Sequence, residues 1–518
     1  MLEGILPAPL ESYAPLLAAG VASVAVFIGL WTRRSRRYPL PPGPKSSWFG
    51  KVKMPNAPPW RTYSSWQSIY GDIIYIYAFG NPIIILNSAK AANDLLDKRS
   101  AKYSSRPVRI MVQELMGLGW LFSSMPYGNN WRKHRALFQK HFHSNEASTH
   151  QPTQIEETHA LLRNLHRSPD KLAHHLRRSF AALVMKISYG HQIEEEGDMY
   201  VGLADQVLGS LSRAGLYGTY LVDYIPLLRY VPAWMPGAGF QKQAREWRKN
   251  SLAMINKPYE MVKQKMASGT AVPCFTTLEL EEWNRTGQDA EHEILIKQVA
   301  AISYGAGTES NLSALLSFFL AMMVHPEVQR KAQAQIDSVI GPDRLPDFSD
   351  RDQLPYVDAI VWECLRWNPS LPLGVAHYTT EDDVYEGYYI PKGTTVLANI
   401  WNILHNPEVY PDPSSFNPDR FEDPKKSAET GINILPDDAF GYGRRMCPGR
   451  WLAFDTLWIT LASILAVYDV QKPVDKDGNI IEPEVGFTSA LFSRPKPYSC
   501  KLVPRSEAAL GLVLQTKD

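Results

Sequence analysis

Phe440-Gly-Tyr-Gly-Arg-Arg-Met-Cys-Pro-Gly449 is the stretch on which the reading of the chain turns. A single cysteine, Cys447, stands there among three glycines and two arginines. Pro448 follows, and then an apolar run from Trp451 to Leu465. Proline is favoured at the first position of a helix, so the sequence predicts Cys447 just ahead of a helix N-terminus. The helix dipole and the unpaired N–H groups there favour a thiolate and lower the pKa of a thiol. A thiolate on a glycine-lined loop is a soft ligand that suits iron. Gly443 and Gly449 would let the backbone approach a flat group where a side chain would collide. Arg445 would meet a carboxylate on that group. For a lone cysteine the competing reading is a buried, inert side chain in a turn.

Working outward, the composition sets bounds. The 518 residues carry a net charge of +1 and are 45% hydrophobic, which suits a large folded protein and argues against disorder and against nucleic acid as a partner. No Gly/Ser-rich linker divides residues 60 to 500, so one large catalytic unit is expected. Cys274, Cys364, Cys447 and Cys500 are scattered, with no C-x-x-C pair, which speaks against zinc and against a disulfide framework. His141, His143, His150, His174 and His175 lack a carboxylate-supported ligand pattern and read as ordinary histidines. Tyr13 to Trp31 carries no charge, and at about 1.5 Å per residue it nearly matches the roughly 30 Å core of a bilayer. Arg33, Arg34, Arg36 and Arg37 follow it, so the positive-inside rule predicts residues 1–12 in the lumen, 13–31 as a transmembrane anchor and everything after Arg33 in the cytosol. A stiff Pro-rich hinge then completes residues 32–44, ahead of a catalytic region at 45–518.

Ile73–Phe79 and Pro82–Leu86 read as a hairpin joined at Gly80-Asn81, and Ala89–Lys98 as a short helix. Trp131 and Arg135 lie four apart on a predicted helix and share a face. Glu293–His325 is a long apolar helix interrupted by Ala306-Gly-Thr-Glu-Ser310. A glycine inside a helix costs roughly 1 kcal/mol, so Gly307 calls for a compensating use. Glu309 and Ser310 form an acid–alcohol pair able to relay protons through water. Thr308 is turned away by two residues, about 200° along the helix. Glu363 and Arg366 sit one turn apart in an apolar helix, with Arg420 further on. Gly387–Gly393 and Thr395–Asn399 read as paired strands, and Val485–Phe492 as a turn dipping towards a pocket.

The pattern Phe440-x-x-Gly443-x-Arg445-x-Cys447-x-Gly449 resembles the haem-binding signature of the cytochrome P450 family. The resemblance extends over nearly the whole chain, from the hinge to the final turn. It implies a mainly α fold with small β-sheets (α+β) behind an N-terminal transmembrane helix. It implies Cys447 as the axial ligand of a haem b iron, Phe440 against the sulfur side of the ring, and Trp131, Arg135, Arg445 and His377 at the haem propionates. It makes Glu363, Arg366 and Arg420 a structural triad that locks the cysteine loop. Glu309, reaching towards solvent, and Ser310 become the proton relay, with small residues beside them leaving room for dioxygen; most members carry Thr where this chain has Ser310. Arg106–Phe122 and Leu208–Trp234 correspond to segments covering the substrate.

The implied activity is a haem-thiolate monooxygenase acting on an apolar small molecule, with a texture similar to fungal members of secondary metabolism. No G-x-G-x-x-G motif follows a strand, so electrons are expected from a separate NADPH–cytochrome P450 reductase. Arg132, Lys133, Lys140 and Arg444 are candidates for its docking surface. The implied location is the endoplasmic reticulum membrane, single-pass, in contact with lipid and with the catalytic region in the cytosol. Two rivals remain: a haem-thiolate isomerase or dehydratase, against which the acid–alcohol pair argues, and a non-catalytic haem- or lipid-binding membrane protein.

Overall fold

A computed structural model describes residue 23 and residues 38–45, 58–215, 218–287, 289–422 and 434–516. The expected luminal segment 1–12 and anchor 13–31 lie outside the described residues, Ser23 apart, as does hinge segment 32–37. The helices that position the site are α1 (Asn129–Phe142), α2 (Leu172–Tyr189), α3 (Met199–Gly215), α4 (Gly239–Ala267), α5 (Ala290–Val324), α6 (Pro355–Trp367) and α7 (Arg450–Val467). The expectation of a mainly helical chain with small sheets holds for these residues.

The largest sheet contains β1 (Ile73–Ala78), β2 (Asn81–Leu86), β3 (His377–Tyr378) and β6 (Thr395–Ala398), in the order β1-β2-β6-β3. β4 (Asp383–Tyr385) pairs with β5 (Tyr388–Ile390), and β7 (Tyr468–Gln471) with β8 (Lys501–Pro504). Two expectations about strands need correcting. The hairpin turns at Phe79-Gly80, both at positive φ (49° and 86°), and Asn81 already belongs to β2 opposite Ala78. β5 and β6 do not pair with each other: β6 is buried along its length and lies between β2, parallel, and β3, antiparallel. Its apolar neighbour Ile83–Leu86 covers it in a parallel pair, while Tyr388–Ile390 pairs with Asp383–Tyr385 instead. The 89–98 helix is α-helical only to Ala92, then widens to i→i+5 turns from Asn93 to Lys98.

α5 runs through the centre. Asp289 caps it by accepting hydrogen bonds from the amides of Glu291 and His292. From Leu295 to Met323 it is apolar almost all round because it is buried almost all round. Its first half, Leu295–Tyr304, packs in one hydrophobic core with residues of α1–α4, and Leu312–Met323 packs in a second with α6 and α7. Where the cores part, Ala306 is exposed and Ser310, one turn on, is half-buried, so an open space borders this face of a central helix. α5 and α7 are both long and apolar enough to cross a membrane, yet they are 78% and 72% buried inside the protein over their most apolar windows.

Candidate active site

The 440–449 loop is closed by its own backbone: the Cys447 amide donates to the Phe440 carbonyl at 2.8 Å. α7 begins at Arg450, so Pro448 lies in a turn before the helix and is not its first residue. The thiol also behaves differently from the sequence expectation. Burial pushes the Cys447 pKa up, and the Gly449 amide, Arg135 and Arg450 pull it back only in part. The two loop glycines serve different ends. A Cβ on Gly443, at φ 51°, would lie 2.5 Å from the Leu96 carbonyl oxygen, so this glycine admits neighbouring backbone and not a flat ligand. A Cβ on Gly449 would meet nothing nearer than the Phe138 ring edge at 3.7 Å. Phe440 is half-buried against the second core.

Around this loop gather buried and half-buried cationic side chains. Arg445 donates to the carbonyls of Ser104 (2.6 Å), Met125 (2.7 Å) and Phe122 (3.3 Å), and its guanidinium lies 4.4 Å above the Trp131 ring. Arg135, on α1 with Trp131, donates to the Met446 carbonyl at 2.7 Å. Arg106 reaches the carbonyls of Ser123, Val375 and Ala376. His377 donates through Nδ1 to the Tyr103 carbonyl at 2.9 Å, which fixes its tautomer while it is neutral. Burial and then mutual repulsion lower the Arg445 pKa to about 9, and lower Arg106 and His377 well below their ordinary values. Among the described residues none of these three arginines pairs with a carboxylate. Buried charge of one sign without a counter-ion is costly and calls for an anion. Arg106 was missed in the sequence, where it was read as the start of a covering loop; its buried seat depends on residues about 270 positions away.

On α5 the predicted acid–alcohol pair is split between two environments. Ser310 Oγ donates to the Ala306 carbonyl at 3.2 Å and lies on the open face. Glu309 does not reach towards solvent: it is 2% exposed and held between Arg177 (2.8 Å) and Arg494. Arg177 in turn binds Asp205 of α3 at 2.7 Å. Arg177 and Arg494 went unread because neither is near Glu309 in sequence. Thr308 is buried and donates to the Tyr304 carbonyl, on a different face from Ser310. Gly307 does not make room on the open side: a Cβ there would lie 3.1 Å from Val184 of α2, so its absent side chain lets two helices approach.

The Glu363–Arg366 pair is fully buried on α6, with bonds of 2.6 and 2.7 Å. Arg366 also donates to the carbonyls of Leu404, Pro413 and Ser415, and Glu363 accepts from the Asn417 amide at 2.7 Å. Arg420 is the looser member, 3.5 Å from Glu363, with its other donors on Pro411 and Asp412. Of the proposed docking cations, Lys133 pairs with Glu291 and Lys140 with Glu279 and Glu282. Arg132 and Arg444 face Tyr127 without a carboxylate partner among the described residues. No cluster of three or more metal-ligating histidine, cysteine or acidic side chains occurs among the described residues.

A cysteine loop ringed by arginines that lack a carboxylate partner among the described residues suits a protein that holds an anionic cofactor. The cytochrome P450 family model matches residues 40–502, and the chain belongs to that family. Cytochrome P450 monooxygenase 208 of Postia placenta is 43% identical over 96% of this chain and 96% of its own length. Tryptamine 4-monooxygenase of Psilocybe cyanescens is 37% identical over 93% and 95%. A zebrafish cytochrome P450 structure, solved with abiraterone, shares the fold at TM-score 0.70 and 22% identity, over 87% of this chain and all of that one. The protein is a cytochrome P450 monooxygenase, and the family implies a haem iron held by a cysteine thiolate. The residues fit that group: its acidic edge would supply the negative charge that Arg106, Arg135 and Arg445 lack among the described residues.

Proposed function

We propose that Cys447 is the thiolate ligand, that Arg106, Trp131, Arg135, His377 and Arg445 hold the acidic edge of the haem, and that the enzyme oxidises an apolar small molecule. The observation that carries this reading is the set of buried and half-buried guanidinium groups around the cysteine loop, with no carboxylate partner among the described residues. When bound, the haem supplies the activation of dioxygen and the redox chemistry.

The chain's own residues do the rest. Arg445 and Arg135 orient the cofactor by charge, and Trp131, 5% exposed, shields that edge from water. Ser310 relays a proton by turning its O–H away from the Ala306 carbonyl to donate its proton into the pocket, while its oxygen accepts a replacement proton from water. Glu309 sets the charge behind that helix face as an ionised carboxylate held by Arg177 and Arg494, and Arg177 is held in turn by Asp205, whose side chain is 40% exposed. Electrons come from a separate NADPH–cytochrome P450 reductase that meets Arg132 and Arg444. Residues 13–31 anchor the enzyme in the endoplasmic reticulum membrane, and exposed Leu227, Tyr230 and Trp234 add an apolar surface beside it. A relative named for tryptamine oxidation supports an aromatic substrate, within a reading that places the enzyme in fungal secondary metabolism and keeps terpenoid and polyketide substrates open beside it.

The reduced, carbon monoxide-bound difference spectrum tests the reading, comparing wild type with Cys447→Ser. Loss of the thiolate band and of NADPH-driven turnover is expected; retention of both overturns the proposal. Ser310→Ala should lower coupled turnover and raise the share of peroxide. Unchanged turnover with an unchanged peroxide share would remove the relay role.

A further inference from the structure

We infer that Asn368 is a positioning residue that holds Arg494 on Glu309 and thereby sets the proton relay of α5, an inference that rests on the relay proposed above. Asn368 directly follows α6 and is 3% exposed. Its Nδ2 donates to Ser317 Oγ at 3.0 Å and to Ser313 Oγ at 3.4 Å, both on α5. Its Oδ1 accepts from Ser493 Oγ at 2.8 Å. The Ser493 amide donates to the Ser370 carbonyl at 2.9 Å, and the Ser493 carbonyl accepts from Ser313 Oγ. All three polar groups of this buried serine are therefore paired inside the protein. The next residue, Arg494, is pinned to Thr488: its amide donates to Thr488 Oγ1 at 3.1 Å and its carbonyl accepts from the Thr488 amide at 2.7 Å. Its guanidinium then meets Glu309.

The arrangement is a matter of register. Glu309, Ser313 and Ser317 lie at four-residue steps along one face of α5. Two successive residues of the 488–494 turn dock on that row, Ser493 on Ser313 and Arg494 on Glu309. A buried polar network whose groups are paired holds one arrangement. The Arg494 side chain is long and 27% exposed, so its own packing fixes it poorly and its root must do so. Arg177 holds the same carboxylate from α2 at 2.8 Å. Glu309 is thus tied to two elements at once, and Ser310 follows it on α5. Proton transfer runs over hydrogen-bond lengths, and a displacement of about 1 Å can cost about 100-fold in rate. Asn368 acts at one remove: its loss frees Ser493, then Arg494, then the carboxylate.

The test uses the haem-loaded enzyme, the dye ABTS as reductant and two oxidants. Hydrogen peroxide splits productively only when a proton is carried to its departing oxygen, whereas meta-chloroperbenzoic acid departs as a stable carboxylate and needs none. Asn368→Ala and Arg494→Gln are each expected to slow dye oxidation by hydrogen peroxide about tenfold and to leave the peracid rate within about twofold of wild type. Because Asn368 acts through Arg494, the double variant should be no slower than Arg494→Gln alone, within about twofold. A wild-type peroxide rate in Asn368→Ala, equal slowing with the peracid, or a double variant slowed by the product of the two single effects would each overturn the positioning role. If Asn368→Ala does not fold, Ser313→Ala removes only the bond to the Ser493 carbonyl, and the same pattern is expected of it. Ser310→Ala separates the two readings. Slowing there beside a wild-type rate in Asn368→Ala overturns the role of Asn368 and leaves the relay standing; a wild-type peroxide rate in Ser310→Ala sinks the relay and this inference with it.

Discussion

At the scale of single residues, the buried pair on α6 shows why arginine and not lysine is needed there. A guanidinium has five N–H donors in a fixed fork. In Arg366 two of them meet Glu363 and the others meet the carbonyls of Leu404, Pro413 and Ser415, so that every donor is used. Those carbonyls belong to the segment leading to the cysteine loop, and Tyr410 within it, 5.5 Å under the Arg366 guanidinium, donates to Ile434. Removing one partner of such a pair leaves the other charged and buried, at a cost of about 3–5 kcal/mol. Glu363→Ala is therefore expected to yield protein largely without haem, and the ratio of haem to protein after purification checks it. A wild-type ratio would show that the pair is dispensable for presenting Cys447. Arg420→Ala should lose less, since Arg420 stands 3.5 Å off and its Nε has no hydrogen-bond partner.

At the scale of elements, the site is a loop held against a helix seam. Gly443 packs on backbone, with its Cβ position 2.5 Å from the Leu96 carbonyl oxygen and 3.0 Å from the Asp97 Cα. Gly443→Ala adds that clash to a left-handed conformation that costs an L-residue about 1–2 kcal/mol. The apo-protein should melt lower and the loop should lose its register. Gly449 behaves in the opposite way. Nothing in the chain opposes a Cβ there, so Gly449→Ala should leave the apo-protein's thermal midpoint near wild type while speeding haem dissociation. Thermal midpoints of apo-protein and haem transfer to an acceptor protein separate the two effects. Equal loss of apo-stability in both variants would mean that neither glycine is kept for the cofactor.

At the scale of the molecule, what could be read in advance follows how far apart the interacting residues lie. Trp131 with Arg135, Glu363 with Arg366, and the 440–449 loop are local patterns, and the structure places each on the expected helix or turn. Arg106, Arg177 and Arg494 acquire their roles from partners more than a hundred residues away, and no spacing announces them. The direction of the Cys447 shift was misread because a helix dipole is visible in sequence and burial is not. Burial also governs how the whole fold responds to acid. His405, just beyond Leu404, stacks on Trp401 at 4.2 Å and donates through Nδ1 to its carbonyl. Burial and then Arg366 lower its pKa from 6.5 to about 3. The unfolded chain takes up a proton near pH 6.5 and the folded one resists until about 3, so the unfolded state binds more protons throughout that window. Stability from this neutral histidine is complete above pH 6.5 and falls on acidification, by up to about 1.4 kcal/mol per pH unit. Against a net stability of about 5–15 kcal/mol, one such group matters. Thermal midpoints from pH 7.5 to 4.5 should therefore fall more steeply for wild type than for His405→Gln, which keeps a donor but cannot charge. Parallel curves would mean that the histidine is protonated in the fold, its charge accommodated beside Arg366.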